Sequence, residues 1–290
     1  MAGVSPKVYR IVCGVALASL CIIVFTGALV RLTGSGLGCE DWPRCNESKF
    51  VDVSSGHTFI EQANRLFTGV VSASVIVAVL VSHRVRPKRR DLVLLAWSLV
   101  AGVLAQVIIG GVVVLTGLNP YANMAHFLVS LVLVGSALVL YRRASLESGD
   151  PWWRQAETVD AKGLRLLMLS SLAALVTGTV VTATGPHAGD EDAVRFGFAL
   201  ESVARVHGTA VMVTLVLLAA LMWRTRRSAN QGLRDALAAV AFVGIAQAGV
   251  GYLQYFTGVP VVLVAAHIAG AVSFFAAVLN TVLAPRPSTD

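Results

Sequence analysis

The stretch AQVIIGGVVVLTGLNPYANMAHFLVS, residues 105–130, returns in outline as AQAGVGYLQYFTGVPVVLVAAHIAGA, residues 246–271, at an offset of 141. Each copy reads as an apolar run, a short break of turn formers ("TGLNPYAN" or "TGVP") and a second apolar run. A tight helical hairpin satisfies that pattern. Each copy also carries one histidine, His126 or His267, shortly after the loop proline. Six or seven residues of helix place it about 10 Å along the axis. A second pair of segments, TGALVRLTG (26–34) and TGTVVTATG (177–185), repeats at an offset of 151. The chain is therefore read as two related halves.

Composition says what the halves sit in. Of 290 residues, 56% are hydrophobic and 13% charged, with a mean hydropathy of +0.74. A soluble domain carries about a quarter charged residues. The chain is expected to be an all-α integral membrane protein, with eight transmembrane helices arranged as two pseudo-symmetric four-helix bundles. The expected spans are 9–30, 66–82, 92–115, 122–141, 164–184, 203–222, 236–256 and 260–283. The first apolar run, Ile11 to Val30, is longer than a signal-peptide core and no clear small-residue cleavage site follows it, so it is read as a span. The expected domains are an N-terminal bundle over 1–142, a linker over 143–163 and a C-terminal bundle over 164–290.

The net charge of +7 points to nucleic acid only if its distribution is ignored. Of the lysines and arginines, 17 fall in the termini and alternate loops and 6 in the loops between. The positive side is expected in the cytoplasm, with both termini. The loops 31–64 and 185–202 are then outside and comparatively acidic, and the expected surroundings are membrane lipid, with no nucleic-acid partner.

Five of the six histidines fall near the outer surface; His83 lies in the basic cytoplasmic loop. His57 and His187 are in outer loops. His207 and His267 come from the second and fourth helices of one bundle at matched depth. An ionisable residue in a spanning helix marks function by default, and two imidazoles facing across a bundle core are how a heme iron is held. The competing reading is a histidine hydrogen-bonded to a neighbouring helix. No Cys-x-x-Cys-His is present, so such a heme is not covalently attached. Gln106 with Gly110, and Gln247 with Gly251, form i, i+4 pairs whose glycines admit either a macrocycle or a close helix. Arg65 and Arg205 lie just outside the apolar zone, where a guanidinium pairs with heme propionates or anchors by snorkelling. Cys39 and Cys45 bracket EDWPR in an outer loop and are read as a disulfide, free redox-active thiols being the alternative. Cys13 and Cys21 are read as packing residues. Glu61, beside a low-dielectric site, can move protons or stabilise developing positive charge; a helix N-terminal acid is the plain alternative.

Together, the motif TGxxVRLTGSGLGCxDWPxC (26–45), the acid-led segment at the start of helix 2, and His126, His207 and His267 resemble the heme A synthase family over nearly the whole chain. The resemblance implies oxidation of the C8 methyl of heme O to a formyl group, giving heme A for cytochrome c oxidase. It implies heme b as cofactor, held by His207 and His267. His126 is implied as a ligand of substrate heme iron, Glu61 as a group near the reaction centre, and Cys39 and Cys45 as the family's outer-loop pair. Heme O synthase is the implied donor, the electron acceptor is unassigned, and the oligomeric state is left open. Many relatives read Glu-x-x-His-Arg where this chain reads Glu61-Gln62-Ala63-Asn64-Arg65, and a later cysteine pair of some relatives is absent. His207 lies 60 residues before His267, and Asn64 lies 62 before His126, so Asn64 is expected where a ligand would stand. Aligning Glu61 on Glu201 instead would put Phe67 there. A b-type cytochrome that only passes electrons, and a transporter built from parallel repeats, are the competing functions.

Overall fold

Eight long helices form because apolar runs of membrane length are closed at their ends by residues that start or stop a helix. The computed structural model describes residues 3–145 and 159–283. Among them the elements are α1 (Pro6–Leu32), α2 (Gly56–Ser82), α3 (Arg90–Leu115), α4 (Pro120–Ala144), α5 (Val159–Thr184), α6 (Leu200–Thr225), α7 (Gln231–Phe256) and α8 (Val261–Leu283). All eight are long and apolar enough to cross a membrane. Ser5, Asn119 and Asn230 cap α1, α4 and α7 with side-chain oxygens. Pro6 and Pro120 follow two of these caps, at a position where a missing N–H costs little. At α2, the Thr58 N–H donates to Ser55 Oγ at 3.1 Å and the Ser55 N–H to Thr58 Oγ1 at 2.9 Å.

That reciprocal cap starts α2 at Gly56 rather than at 66. Its first turns are too polar for a hydropathy reading yet fully helical. Glu61, Asn64 and Arg65 therefore lie inside the helix, and His57 is in its first turn instead of in the loop. Pro120 likewise opens α4 instead of lying in the loop before it.

The hairpin turns after α3 and α7 close alike. Gly117 and Gly258 have positive φ, and so do Leu118 and Val259, both at 61°. Leu118 N–H donates to Val113 O and Val259 N–H to Gln254 O, each at 2.8 Å, recovering carbonyls the helix end leaves open. A non-glycine residue held there costs about 1–3 kcal/mol. For Leu118 burial offsets that strain, since its side chain packs with Val113, Ala188 and Ala193.

The described residues form two units: those up to 145 with Gly185–Phe196, and those from 159 to Thr184 with Gly197 onwards. The segment Gly185–Phe196 thus goes with the first unit, although it lies between α5 and α6. Most of the expected linker 143–163 falls outside the described residues. In the first unit, α1 packs on α2 and α4, and α3 packs on the same two helices. The second repeats the order: α5 and α7 each pack on α6 and α8. Its core is Leu164, Leu167, Leu218, Leu221, Leu233, Leu237, Val240 and Val278, all toward the end remote from His207 and His267. At the corresponding end of the first unit, Asp91 bonds both Arg89 and Arg143 at 2.8 Å. Outward faces are apolar; Leu94, Phe242 and Val262 are 71–78% exposed. Only a lipid surround makes such faces favourable while the helices satisfy their own backbones.

Candidate functional site

In the second unit the His207 and His267 rings face each other, with centroids 6.3 Å apart and planes at 88°. Two imidazoles bound at about 2 Å on opposite sides of one metal have ring centres roughly 6 Å apart. His207 Nδ1 lies 3.0 Å from Ala174 O and 3.3 Å from Thr177 Oγ1. Donation to the carbonyl puts the proton on Nδ1 and leaves the Nε2 lone pair for a metal. Glycines seat both rings. A Cβ on Gly178 would stand 3.1 Å from His207 Cε1, and one on Gly251 3.2 Å from His267 Cε1. The glycine space expected for a macrocycle or a helix backbone is taken by the neighbouring imidazole.

The first unit repeats half of this arrangement. Gly110 seats His126, with its absent Cβ 3.3 Å from Cε1. Gln106 Nε2 donates to His126 O at 3.0 Å and to Ser130 Oγ at 2.8 Å; Gln247 Nε2 donates to His267 O at 3.2 Å. His126 Nδ1, His267 Nδ1 and the Oε1 atoms of Gln106 and Gln247 are buried without hydrogen-bond partners among the described residues. Buried polar atoms are nearly always paired. The same two orphans recurring at an offset of 141 mark a polar corner in each bundle that suits a metal-centred group. On the ring spacing, the tautomer of His207 and these orphans, the residues fit a heme.

The fourth corner belongs to Asn64. Thr26 Oγ1 donates to Asn64 Oδ1 at 2.8 Å, as Thr177 contacts His207. A Cβ on Gly27 would stand 3.8 Å from Asn64 Nδ2, as Gly178 borders His207. Thr26-Gly27 and Thr177-Gly178 open the two segments that repeat at 151. Asn64, not Phe67, therefore holds the place of His207.

One turn earlier on the same face of α2, Glu61 is 5% exposed. Its Oε2 accepts the Cys39 N–H at 2.7 Å, and its Oε1 accepts Arg65 Nε at 3.0 Å and Nη2 at 2.5 Å. Cys39 and Cys45 form a disulfide. Arg65 also donates from Nη1 to Asp41 O and Arg44 O, each at 3.0 Å, and from Nη2 to Cys39 O at 3.3 Å. A guanidinium has five N–H donors, and all five are used within the chain. Arg65 thus clasps the disulfide loop. Gly38 lets this loop lie on the start of α2, since a Cβ there would stand 2.5 Å from His57 O. Trp42 covers Gly111 of α3 in the same way. Asp52 accepts from Asn46 Nδ2 at 3.0 Å, Lys49 Nζ at 3.3 Å and Ser54 N at 3.0 Å. The hydrogen bonds from Ser54 hold its carboxyl at about 2, below the usual carboxylate range.

The second unit has a similar sequence, Glu201 with Arg205, but a different setting. That pair is 3.8 Å apart and 73% and 80% exposed. Its carboxylate is not sequestered, and its guanidinium remains at the surface. Cys13 is a buried free thiol in α1, as expected; Cys21 is half-buried.

The family described as Cytochrome oxidase assembly protein (COX15-CtaA) matches residues 10–55 and 50–195, more than half the chain. A Heme A synthase of Lysinibacillus sphaericus is 36% identical over 126 residues, 43% of this chain and 41% of that protein. One of Geobacillus kaustophilus is 37% identical over 137 residues, 44% and 42% of the two chains. One of Bacillus pumilus is 35% identical over 121 residues, 41% and 39%. The match thus spans about two fifths of the length of these curated relatives.

Proposed function

This chain belongs to the cytochrome oxidase assembly protein family, and on that premise we propose that it is a heme A synthase. It is then a membrane oxidoreductase that takes the C8 methyl of heme O to a formyl group. The observation that carries the reading is the difference between the two units. The second faces two imidazoles across its core. The first has His126 at the place of His267 and an asparagine at the place of His207, and it adds a carboxylate held at both oxygens. One bundle is suited to keeping a heme and the other to acting on one.

His207 and His267 hold heme b, which supplies one-electron redox chemistry when bound. His126 holds the iron of the substrate heme. Oxidising a methyl group releases protons and builds positive charge at the carbon. Glu61 accepts a proton or stabilises that charge, and Arg65 keeps its carboxylate oriented. The Cys39–Cys45 loop keeps water from Glu61, which is 5% exposed. Arg205, free of a tight partner, is available to a propionate. The basic loops are cytoplasmic with both termini, and the Glu61 ends of the helices lie at the outer face. Heme O synthase is the supplier of substrate.

A b-type cytochrome would need the two facing imidazoles but would give buried Glu61 no role. The test is extraction of hemes from cells expressing this chain with a heme O source. A formyl-bearing product is expected; heme O unchanged beside an intact low-spin heme b would favour the cytochrome.

A further inference from the structure

We propose that the first unit holds its porphyrin iron from one side only, through His126. On the facing side, Asn64 donates a hydrogen bond to a small exogenous ligand of that iron and does not itself bind the metal. The inference rests on the reading of the first unit as a substrate-heme site, and it names what occupies that site's second axial side.

The register comes from the partners of Asn64. Thr26 and Gly27 stand to Asn64 as Thr177 and Gly178 stand to His207. His126 and His267 are matched in turn by Gln106 with Gly110 and by Gln247 with Gly251. Three corners of the repeat hold imidazole and one holds a carboxamide.

A carboxamide cannot do what imidazole does there. Its nitrogen lone pair is delocalised into the carbonyl, so Nδ2 is a donor only. Its oxygen already accepts from Thr26 at 2.8 Å. The side chain is also one bond shorter than the path to an imidazole Nε2, which leaves room for a ligand between it and the iron. Nδ2 then has hydrogens to give, and no bond to it occurs among the described residues. The group it suits is small and bears an acceptor lone pair, of the size of water or azide. Glu61, one turn away on the same face, keeps both oxygens engaged with Cys39 and Arg65 and, as a carboxylate, has no N–H to give.

The test uses the full-length protein loaded with excess ferric heme b, read by absorption and EPR during azide titration. Wild type is expected to show two hemes: one low-spin and indifferent to azide, and one high-spin that binds it. Asn64→Leu should weaken azide binding by about ten-fold or more, the worth of one hydrogen bond to an anion. Asn64→His should turn the high-spin heme low-spin and abolish azide binding. Asn64→Asp keeps the shape and the Thr26 bond but removes the N–H groups, so it should weaken azide as Leu does and carries the test should the Leu variant not fold. Two low-spin hemes in wild type, or azide affinity within about two-fold of wild type in both Leu and Asp variants, would overturn the inference. Heme A formed by wild type in cells alongside that result would leave the synthase reading standing.

Discussion

Glu61 accepts the backbone N–H of Cys39 at 2.7 Å, across 22 positions of sequence. The carboxylate on α2 and the outer disulfide loop are thereby one mechanical piece, with Arg65 tied to both. Whatever loosens the loop releases the carboxylate.

Loss of both Cys39 and Cys45 should therefore cost activity more than fold. A ring of this size contributes about 2 kcal/mol through chain entropy. The double serine variant is expected to keep the low-spin heme of the second unit and to lose most formyl product. Non-reducing peptide mapping of wild type should join the two cysteine peptides. Product at wild-type level from the double variant would separate the loop from the chemistry.

Glu61→Gln retains an oxygen for the Cys39 N–H but loses its charge opposite Arg65. Heme content should stay near normal while product falls about 100-fold or more, the lower range for a lost acid–base group. Heme O or a hydroxylated intermediate should accumulate in the extract. Glu201→Gln, altering an exposed pair worth at most about 1 kcal/mol, should leave product formation unchanged. Equal losses in the two variants would remove the distinction drawn between the carboxylates.

Gly178→Ala and Gly251→Ala should perturb the second heme without expelling it. Each new methyl lies 3.1 or 3.2 Å from an imidazole carbon, so the ring must give by a few tenths of an ångström. Shifted EPR g-values with unchanged heme content are expected. His207→Ala and His267→Ala should each abolish the low-spin species, and an unaltered low-spin spectrum in both would refute the ligand assignment.

The Asp52 turn should resist acid until unusually low pH. Its carboxyl is held at about 2 in the fold, against about 3.9 in an unstructured chain. Its contribution is complete above the higher value and is lost as pH falls through the lower one. Proteolytic protection of residues 46–54 should be unchanged at pH 5 and decline below about 4. Asp52→Asn should remove that dependence.

Much of this was legible in the residues. Apolar length gave eight spans, and the 141 offset paired His126 with His267. Helix starts were not, because hydropathy sees only the apolar part of a helix; the Ser55–Thr58 cap adds the polar turns that carry Glu61 and Arg65. The partners of Arg65 were invisible for another reason. They are mostly backbone carbonyls of a loop more than 20 positions away, and a carbonyl leaves no mark on sequence. Asn64 stayed between two registers because the repeat offset changes from 151 to 141 along the half. Only Thr26 and Gly27, reached through space, decide it. Those two residues were quoted as part of the repeat, yet a glycine that makes room for a neighbour cannot name that neighbour.

The segment Gly185–Phe196 has a consequence for the order in which the protein is made. It is translated after α5, yet it completes the first unit: Arg31 Nε donates to His187 O at 2.7 Å, Gly36 N–H to Gly189 O at 2.9 Å, and Ala188 and Ala193 pack with Leu118. The four helices that leave the ribosome first are thus unfinished until a fifth has been threaded into the bilayer. Domains otherwise tend to fold in the order of synthesis. Here the earlier half waits for a piece of the later one, so a ribosome halted before residue 185 holds four helices without the segment that bonds Arg31 and packs on Leu118.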